Sequence, residues 1–380
     1  SKKSSIAVRK ESLHFCHAIK TILMKTRYLY FILFSLFTLQ LSGQGWRQDY
    51  TFSSNDNRVW DIKPHPEGGY LAATTIELSS SFNACLLRVD EAGDSLWLKT
   101  YPGGYGVFAA PNADGTFFFI SDTHITLIDE AGEPINSKAI PFSNDFNFFF
   151  TAGRPITRTA NGDFVLCGYD DNQNAAIMRM TSDGEEVWKI SYELPVEERV
   201  HTVVEDEEGN LYLGLETPIT GTGFHRRAVQ KTTADGIVLW RTLLPEDGNA
   251  SDIPEHLAVV NGTEGVISVG TGIPQLSRLD ADGNILWNDT LSQNFHPQAI
   301  TENTAGNFVI CGDNVSNGIY ANDLFLLHID VDGTHLWAQN YPRLGFEGSS
   351  DLISTNDGGY LVGGPKASLD FSEGSTYLMK

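Results

Sequence analysis

Several chemical signatures are missing from this sequence. It has no His-Glu-x-x-His, Gly-x-Ser-x-Gly, P-loop or Cys-x-x-Cys, so zinc peptidase, serine hydrolase, nucleotide-phosphate and dithiol chemistry leave no trace. Cysteine is scarce, with four in 380 residues, which excludes a disulfide-dense scaffold. Positive charge is scarce as well: 26 Lys and Arg stand against 48 Asp and Glu, for a net charge of −22. Nucleic-acid binding needs a basic footprint, so no nucleic-acid partner is expected. Only one stretch, residues 28–39, is a sustained apolar run, and it falls short of the ~20 residues of a spanning helix.

That run has a context. Met24 is followed by Lys25 and Arg27, then by the apolar run, then by Ser42-Gly43-Gln44-Gly45. A charged start, a short apolar centre and a small-residue exit describe a secretory signal peptide; the competing reading is a membrane anchor. We read 1–23 as a spurious extension, 24–44 as the signal peptide and 45–380 as a single domain. Gln44 stands where a lipoprotein would carry its cysteine. The expectation is therefore a secreted or periplasmic protein, not a lipoprotein, with no membrane insertion after cleavage and a monomeric state. Seven basic residues and one acidic residue precede Gly45, leaving 19 against 47 and a charge of −28. Cys85, Cys167 and Cys311 remain beyond that point. Cys167 and Cys311 fall at matching places in two repeats, too far apart to pair, and all three read as small buried hydrophobes.

What the chain has in abundance is repetition. The phrase at 279–290, Leu-Asp-Ala-Asp-Gly-Asn-Ile-Leu-Trp-Asn-Asp-Thr, returns at 89–100, 180–191, 232–243 and 329–340. A second phrase, glycine followed by an apolar strand, occurs at Gly68, Gly115, Gly162, Gly209, Gly265, Gly306 and Gly358. These seven copies span 290 residues, a mean period of about 48. Each unit divides into four short strands joined by Asp/Asn-Gly turns. Such a period predicts an all-β fold, a seven-bladed β-propeller of four-stranded antiparallel blades. The last unit stops after its third strand. Trp46 and Tyr50 repeat the spacing of Trp97 and Tyr101, so 45–52 should dock beside 375–380 and close the ring as a 3+1 blade.

Columns through the repeats assign faces. Ile62, Ala109, Ile156, Val203, Val259, Ile300 and Leu352 form an apolar column expected between blades. Trp46, Trp97, Trp188, Trp240, Trp287 and Trp337 form a second, expected to wedge each blade against its neighbour. The second unit departs from the pattern, with Asn136 for tryptophan and Leu127 for the basic residue. Arg88, Arg179, Lys231 and Arg278 read as surface or inter-strand pairing.

The tryptophan phrase resembles the repeat of pyrroloquinoline-quinone-like (WD40/PQQ-like) quinoprotein propellers. Together with the Gly-Gly-Tyr phrase it resembles the secreted seven-bladed repeat proteins of Bacteroidetes-type bacteria. The resemblance covers 45–380 and implies an exported scaffold; such families include non-enzymatic members as well as quinoproteins. No quinone-contacting or calcium-ligating motif accompanies it, so no cofactor is expected. Asp280-x-Asp282-Gly283-Asn284 has its glycine at position four rather than the six of a calcium loop, and no metal is expected there.

Function should lie where positions break the repeat. Eight residues before each Gly phrase the column reads Trp60, Val107, Arg154, His201, Leu257, Gln298 and Ser350, with Asp61, His256, His296 and Asp351 close by. From these, Trp60, Asp61, Arg154, His201, His256, Gln298 and Asp351 are the candidate ligand-binding residues, at one mouth of the central channel; none is assigned as catalytic. The leading expectation is a non-catalytic binding propeller with a protein or glycan ligand. The alternatives are a polysaccharide hydrolase or lyase using His201, His256, Asp61 or Asp351, and, more distantly, a quinoprotein. Phe142, Phe146, Phe148, Phe149 and Phe150 make either an exposed sticky patch or a plug for the degenerate second blade.

Overall fold

Each Asp-x-x-Gly phrase folds as a tight hairpin turn closed by its own first residue. Asp90 Oδ1 accepts the N–H groups of Ala92 and Asp94, both at 2.9 Å. Asp280 Oδ1 does the same for Asp282 and Asn284, at 3.0 and 2.8 Å. Where threonine replaces the aspartate, Thr181 and Thr233 hydroxyls accept the equivalent N–H at 3.2 Å. The glycine of each turn has a φ that favours an unbranched backbone, +84° at Gly93 and at Gly283.

These turns assemble seven sheets in the computed structural model, which describes residues 45–380 apart from 53–56, 79–80, 141–145, 149–153, 194–196, 246–252, 272–274, 292–294, 316–321, 343–344 and 368–373. The expected signal peptide and upstream extension lie outside the described residues. All described elements are strands, and no helix among the described residues is long and apolar enough to cross a membrane. Blade one runs outward through Asn57–Pro64, Tyr70–Leu78, Ser81–Val89 and Ser95–Tyr101. Blades two to six repeat it, starting at Gly106–Pro111, Ile156–Arg158, Arg199–Glu205, Pro254–Val259 and Phe295–Glu302. Blade seven begins with Asp351–Ser354 and takes its outermost strand, Arg47–Tyr50, from the other end of the domain. The register runs from Arg47 opposite Met379 to Tyr50 opposite Thr376, and Lys380 N donates to Trp46 O at 2.8 Å. The 3+1 closure is present as expected, and Arg47 reinforces it with a two-pronged pair to the fully buried Glu347, at 2.7 and 3.1 Å.

The tryptophan phrase turns out to supply both halves of one joint, the turn glycine from one copy and the tryptophan from another. At four seams the tryptophan of the outer strand lies on the turn glycine of the next blade, Trp46 on Gly93, Trp97 on Gly132, Trp240 on Gly283 and Trp287 on Gly333, whereas Ile190 takes that place at Gly236 and Trp337 is 40% exposed. Trp46 Nε1 donates to Glu91 O at 2.8 Å, Trp240 to Ala281 O at 2.8 Å, and Trp287 to Val331 O at 3.0 Å. A Cβ on Gly93 would stand 2.5 Å from the Trp46 ring, and one on Gly283 2.6 Å from Trp240, so the ring face needs glycine beneath it. The tyrosine four residues on completes the joint: Tyr50, Tyr101 and Tyr192 hydroxyls donate to the carbonyls of Gly93, Gly132 and Gly236 at 2.6, 2.9 and 3.1 Å. Blade two, lacking the tryptophan, presents Ile125 and Lys138 to Gly184 instead.

Both edges of the blade carry bulges. On the outer strands the register shifts just before the tryptophan column, at Leu96, Ile135, Val187, Leu239, Leu286 and Leu336. A bulged edge cannot offer an unbroken row of N–H and C=O groups to another strand, so the bulge guards against edge pairing even though these aliphatic residues are about half exposed.

Four readings of the sequence need amendment or completion. The apolar column of blade five runs through Leu257, not Val259. Its first turn carries one extra residue and its glycine sits one place nearer the second strand, so counting back from Gly265 lands two residues late. Of the two readings of the basic column, surface or inter-strand pairing, the structure shows pairing in the interior: Arg88, Lys231 and Arg278 are each about 6% exposed. Arg88 donates to Gly68 O at 2.6 Å and Lys231 pairs with Asp206 at 3.0 Å, tying the third strand to the Gly phrase. In the phenylalanine-rich segment, Phe146 is buried with Val107, Phe108, Ile140, Ile156 and Phe164 between blades two and three; Phe142, Phe149 and Phe150 lie outside the described residues. The three cysteines are free and buried, and burial pushes the Cys85 and Cys311 thiols up to about 12.

Candidate functional site

The innermost strands bring the chemistry to the ring axis, and a second set of bulges arranges it. In blades one, two, four, five and six the register slips by one at Trp60, Val107, His201, Glu255 and Gln298. The extra residue is left out of the ladder, which breaks the regular alternation of the strand there. Four of these five belong to the column singled out in the sequence. The blade-five member is Glu255 rather than Leu257, for the same turn-length reason.

The next position along each strand has a distinct task. Asp61 of blade one, His256 of blade five and Asp351 of blade seven occupy the same register place. Each accepts a backbone N–H from the following blade: Asp61 Oδ2 from Ala109 at 3.0 Å, His256 Nδ1 from Ile300 at 2.9 Å, Asp351 Oδ2 from Ile62 at 2.6 Å. These N–H groups face across the seam between blades and have no strand partner there, so a side-chain acceptor satisfies a group that would be costly to bury bare. In blade three the Arg154 carbonyl does the same for Val203 N at 3.1 Å.

Cations fill the space between these acceptors. Arg154 reaches from blade three to Asp351 Oδ1 in blade seven, and Lys63 pairs with Asp61 Oδ1. Asp351 is fully buried, whereas the Arg154 and Lys63 side chains are 25% and 21% exposed. Burial pushes the Lys63 ammonium down, with Asp61 opposing. His256 is held well below the usual histidine range by burial, and then by Arg154 and Lys63, so it is neutral and can accept through Nδ1. Trp60, Asp61 and Arg154 also border a small cavity with Val107, Phe108, Pro155 and Ile156; its ~10 Å³ is room for about one water.

The structure thus joins Trp60, Asp61, Arg154, His256 and Asp351 around one axis. His201 belongs to a separate group in blade four, where its Nε2 lies 3.0 Å from Glu216 Oε2 and His225 Nδ1 lies 3.3 Å from Glu216 Oε1. Gln298 is half-buried at the blade-six bulge, and His296 is exposed. Among the described residues no group of three or more His, Cys, Asp or Glu is placed to hold a metal ion.

Sequence reasoning missed Lys63, Tyr105 and Phe82. Lys63 could have been found from its spacing, two residues beyond Asp61 and on the same strand face. Tyr105 lies in a connection, and Phe82 lies near the start of the third strand of blade one, outside the repeated phrases. Tyr105 meets Trp60 edge-on at 6.3 Å, and Phe82 stacks on Tyr105 at 5.1 Å.

No family profile matches the chain, and no curated protein matches it in sequence. Among solved structures, a catalytically inactive virginiamycin B lyase from Staphylococcus aureus with quinupristin is similar at a TM-score of 0.58 and 15% identity, covering 89% of this chain and 100% of that one. The Dos1 propeller is similar at 0.51 and 11%, covering 88% and 94%. YCF48 bound to D1 peptide is similar at 0.51 and 10%, covering 87% and 96%. At these identities the likeness is one of fold, and it agrees with the seven-bladed ring.

Proposed function

We propose that this chain is an exported, non-catalytic binding propeller whose ligand sits at the mouth where the innermost strands begin. The observation that supports the reading is how the titratable groups of the axis are used. Asp61, His256 and Asp351 each accept a backbone N–H across a blade seam, and Lys63 and Arg154 neutralise the two carboxylates. A general acid or base needs an edge that can reach substrate. Here those edges are turned into the joints of the ring.

Two of the similar propellers are described with a ligand, quinupristin on one and the D1 peptide on the other, so the fold can carry a bound molecule at this level of likeness. Export is supported by the charged start, apolar run and small-residue exit at 24–44, and the high acidity of 45–380 suits a protein kept soluble outside the cell. N-terminal sequencing of secreted material should place cleavage within 42–46; retention of residues 31–39 would refute it.

A second reading, a lyase or hydrolase, draws on His201, Glu216 and His225. A carboxylate that holds one nitrogen of an imidazole fixes its tautomer and leaves the other nitrogen for proton transfer. His225 has its side chain 36% exposed, so the pair with Glu216 lies near solvent. A glycan and peptide array followed by a turnover assay on every hit separates the two. Binding without turnover is the expected result; turnover lost in His201→Ala would replace the binding reading with the enzymatic one.

A further inference from the structure

We propose that the ligand is a neutral oligosaccharide, bound on the run of rings Trp60–Tyr105–Phe82 between blades one and two. The proposal rests on the binding reading above and names its ligand class. Three aromatic side chains lead outward from the axis. Trp60 borders the axial cavity and is half-buried, Tyr105 is half-buried against it, and Phe82 is 42% exposed. One face of Phe82 is covered by Tyr105, at an interplanar angle of 30°, so its exposure is on the opposite face and the edge.

The rings are held rather than loose. Trp60 Nε1 donates to Thr75 Oγ1 at 2.8 Å, and the same hydroxyl receives Gly106 N at 3.3 Å, which fixes the indole against the start of blade two. Asp122 Oδ1 accepts the N–H groups of Gly104 and Tyr105, at 2.8 and 3.2 Å, which sets the Tyr105 backbone. Gly104 lies between Phe82 and Asp122 and carries no side chain to cover either. A rigid aromatic surface loses little conformational freedom when a ligand arrives.

The polar groups beside the rings decide the ligand class. Asp122 keeps Oδ2 on the Gly104 side, and the exposed Arg58 places its guanidinium 6.0 Å from the Trp60 ring. One acid and one base thus flank an apolar surface. A pyranose has this combination: C–H groups on one face, which suit the negative face of an aromatic ring, and hydroxyls at its rim, which both donate and accept. A purely apolar ligand would make no use of the polar groups that border the rings. A polyanion would meet the −28 of the domain, and the axial cations near Trp60 are already paired, Arg154 with Asp351 and Lys63 with Asp61.

The test is titration calorimetry of residues 45–380 with neutral gluco-, manno-, galacto- and xylo-oligosaccharides and with an oligogalacturonate. Phe82→Ala is the main variant, since an exposed ring can be removed without opening the core. Tyr105→Ala is the second, and Phe224→Ala, an exposed phenylalanine of blade four, is the control. The expected result is binding of at least one neutral oligosaccharide, about tenfold weaker in Phe82→Ala and Tyr105→Ala, unchanged in Phe224→Ala, and without products. Peptide binding alone, weakened by Phe82→Ala, would overturn the sugar assignment and leave the binding reading standing. Cleavage of a bound sugar would overturn the non-catalytic reading and leave the aromatic site standing. Sugar affinity equal in all three variants would overturn the site itself.

Discussion

Closure of the ring by its first strand makes an unusual demand on a chain end. Changes at termini are ordinarily tolerated, because little packs against them. Here Trp46 lies on Gly93 and donates to Glu91 O, as Trp240 lies on Gly283 and donates to Ala281 O in mid-chain. Trp46→Ala removes a half-buried indole and one hydrogen bond. Core Trp→Ala changes cost ~3–5 kcal/mol, and partial exposure of the ring points to the lower end, so we expect about 3 kcal/mol, with the lost hydrogen bond included. Unfolding entropy of ~2.1 cal/mol/K per residue amounts to about 0.7 kcal/mol/K for a domain of this length. The melting temperature should therefore fall by roughly 4 °C. Scanning calorimetry of Trp46→Ala beside Trp240→Ala is the assay, and the two should fall together. A melting temperature untouched by Trp46→Ala, with Trp240→Ala clearly lowered, would refute the claim that the terminal strand carries the same load as an internal one.

Two further predictions concern pH. Burial raises the Asp313 carboxyl to about 6, against an ordinary value near 3.8, so the folded protein binds a proton there that the unfolded chain does not. Stability should fall as pH rises from about 4 to 6, and Asp313→Asn, which keeps an acceptor for Ser349 N, should be more stable than the parent at pH 7 by about 1–3 kcal/mol, with the gap closing at pH 4. An equal gap at both pH values in urea titrations would argue against it. Burial, then Arg88, holds His65 down at about 4, so the unfolded chain takes up its proton first and stability should be lost as pH falls from about 6.5 to 4. His65→Asn should flatten that limb; an unchanged acid limb would show that His65 does not carry it.

The fold was legible because the Gly phrase is written seven times and the tryptophan phrase five times. A tryptophan that needs the turn glycine of the next blade beneath it forces its own phrase to recur, and the spacing of the Gly phrase then counts the blades. Where a joint varies, counting by columns drifts, as at blade five, where one extra turn residue moved Leu257 out of its true place. The candidate site was legible in position and less so in role. Asp61, His256 and Asp351 depart from the repeat as a binding residue would, yet each satisfies an N–H of the neighbouring blade, a contact that no column within one blade can display. The basic column was legible as inter-strand pairing, but which groups it serves was not, since the Gly-phrase partners are seen only in space. Tyr105 escaped notice because it lies in a connection, and Phe82 because it stands near the start of a strand, before the phrase by which the repeats were aligned.

The central claim is that the charged residues of the axis hold the ring together. Asp351→Ala tests it most directly, by urea denaturation at pH 7. The change strips the acceptor from Ile62 N and Leu352 N and leaves the Arg154 guanidinium without its carboxylate. Breaking a buried pair from one side costs ~3–5 kcal/mol, so the midpoint should fall by about 1 M or more. A midpoint equal to that of the parent, with ligand binding or turnover abolished, would contradict the account and make Asp351 a residue of function rather than of structure.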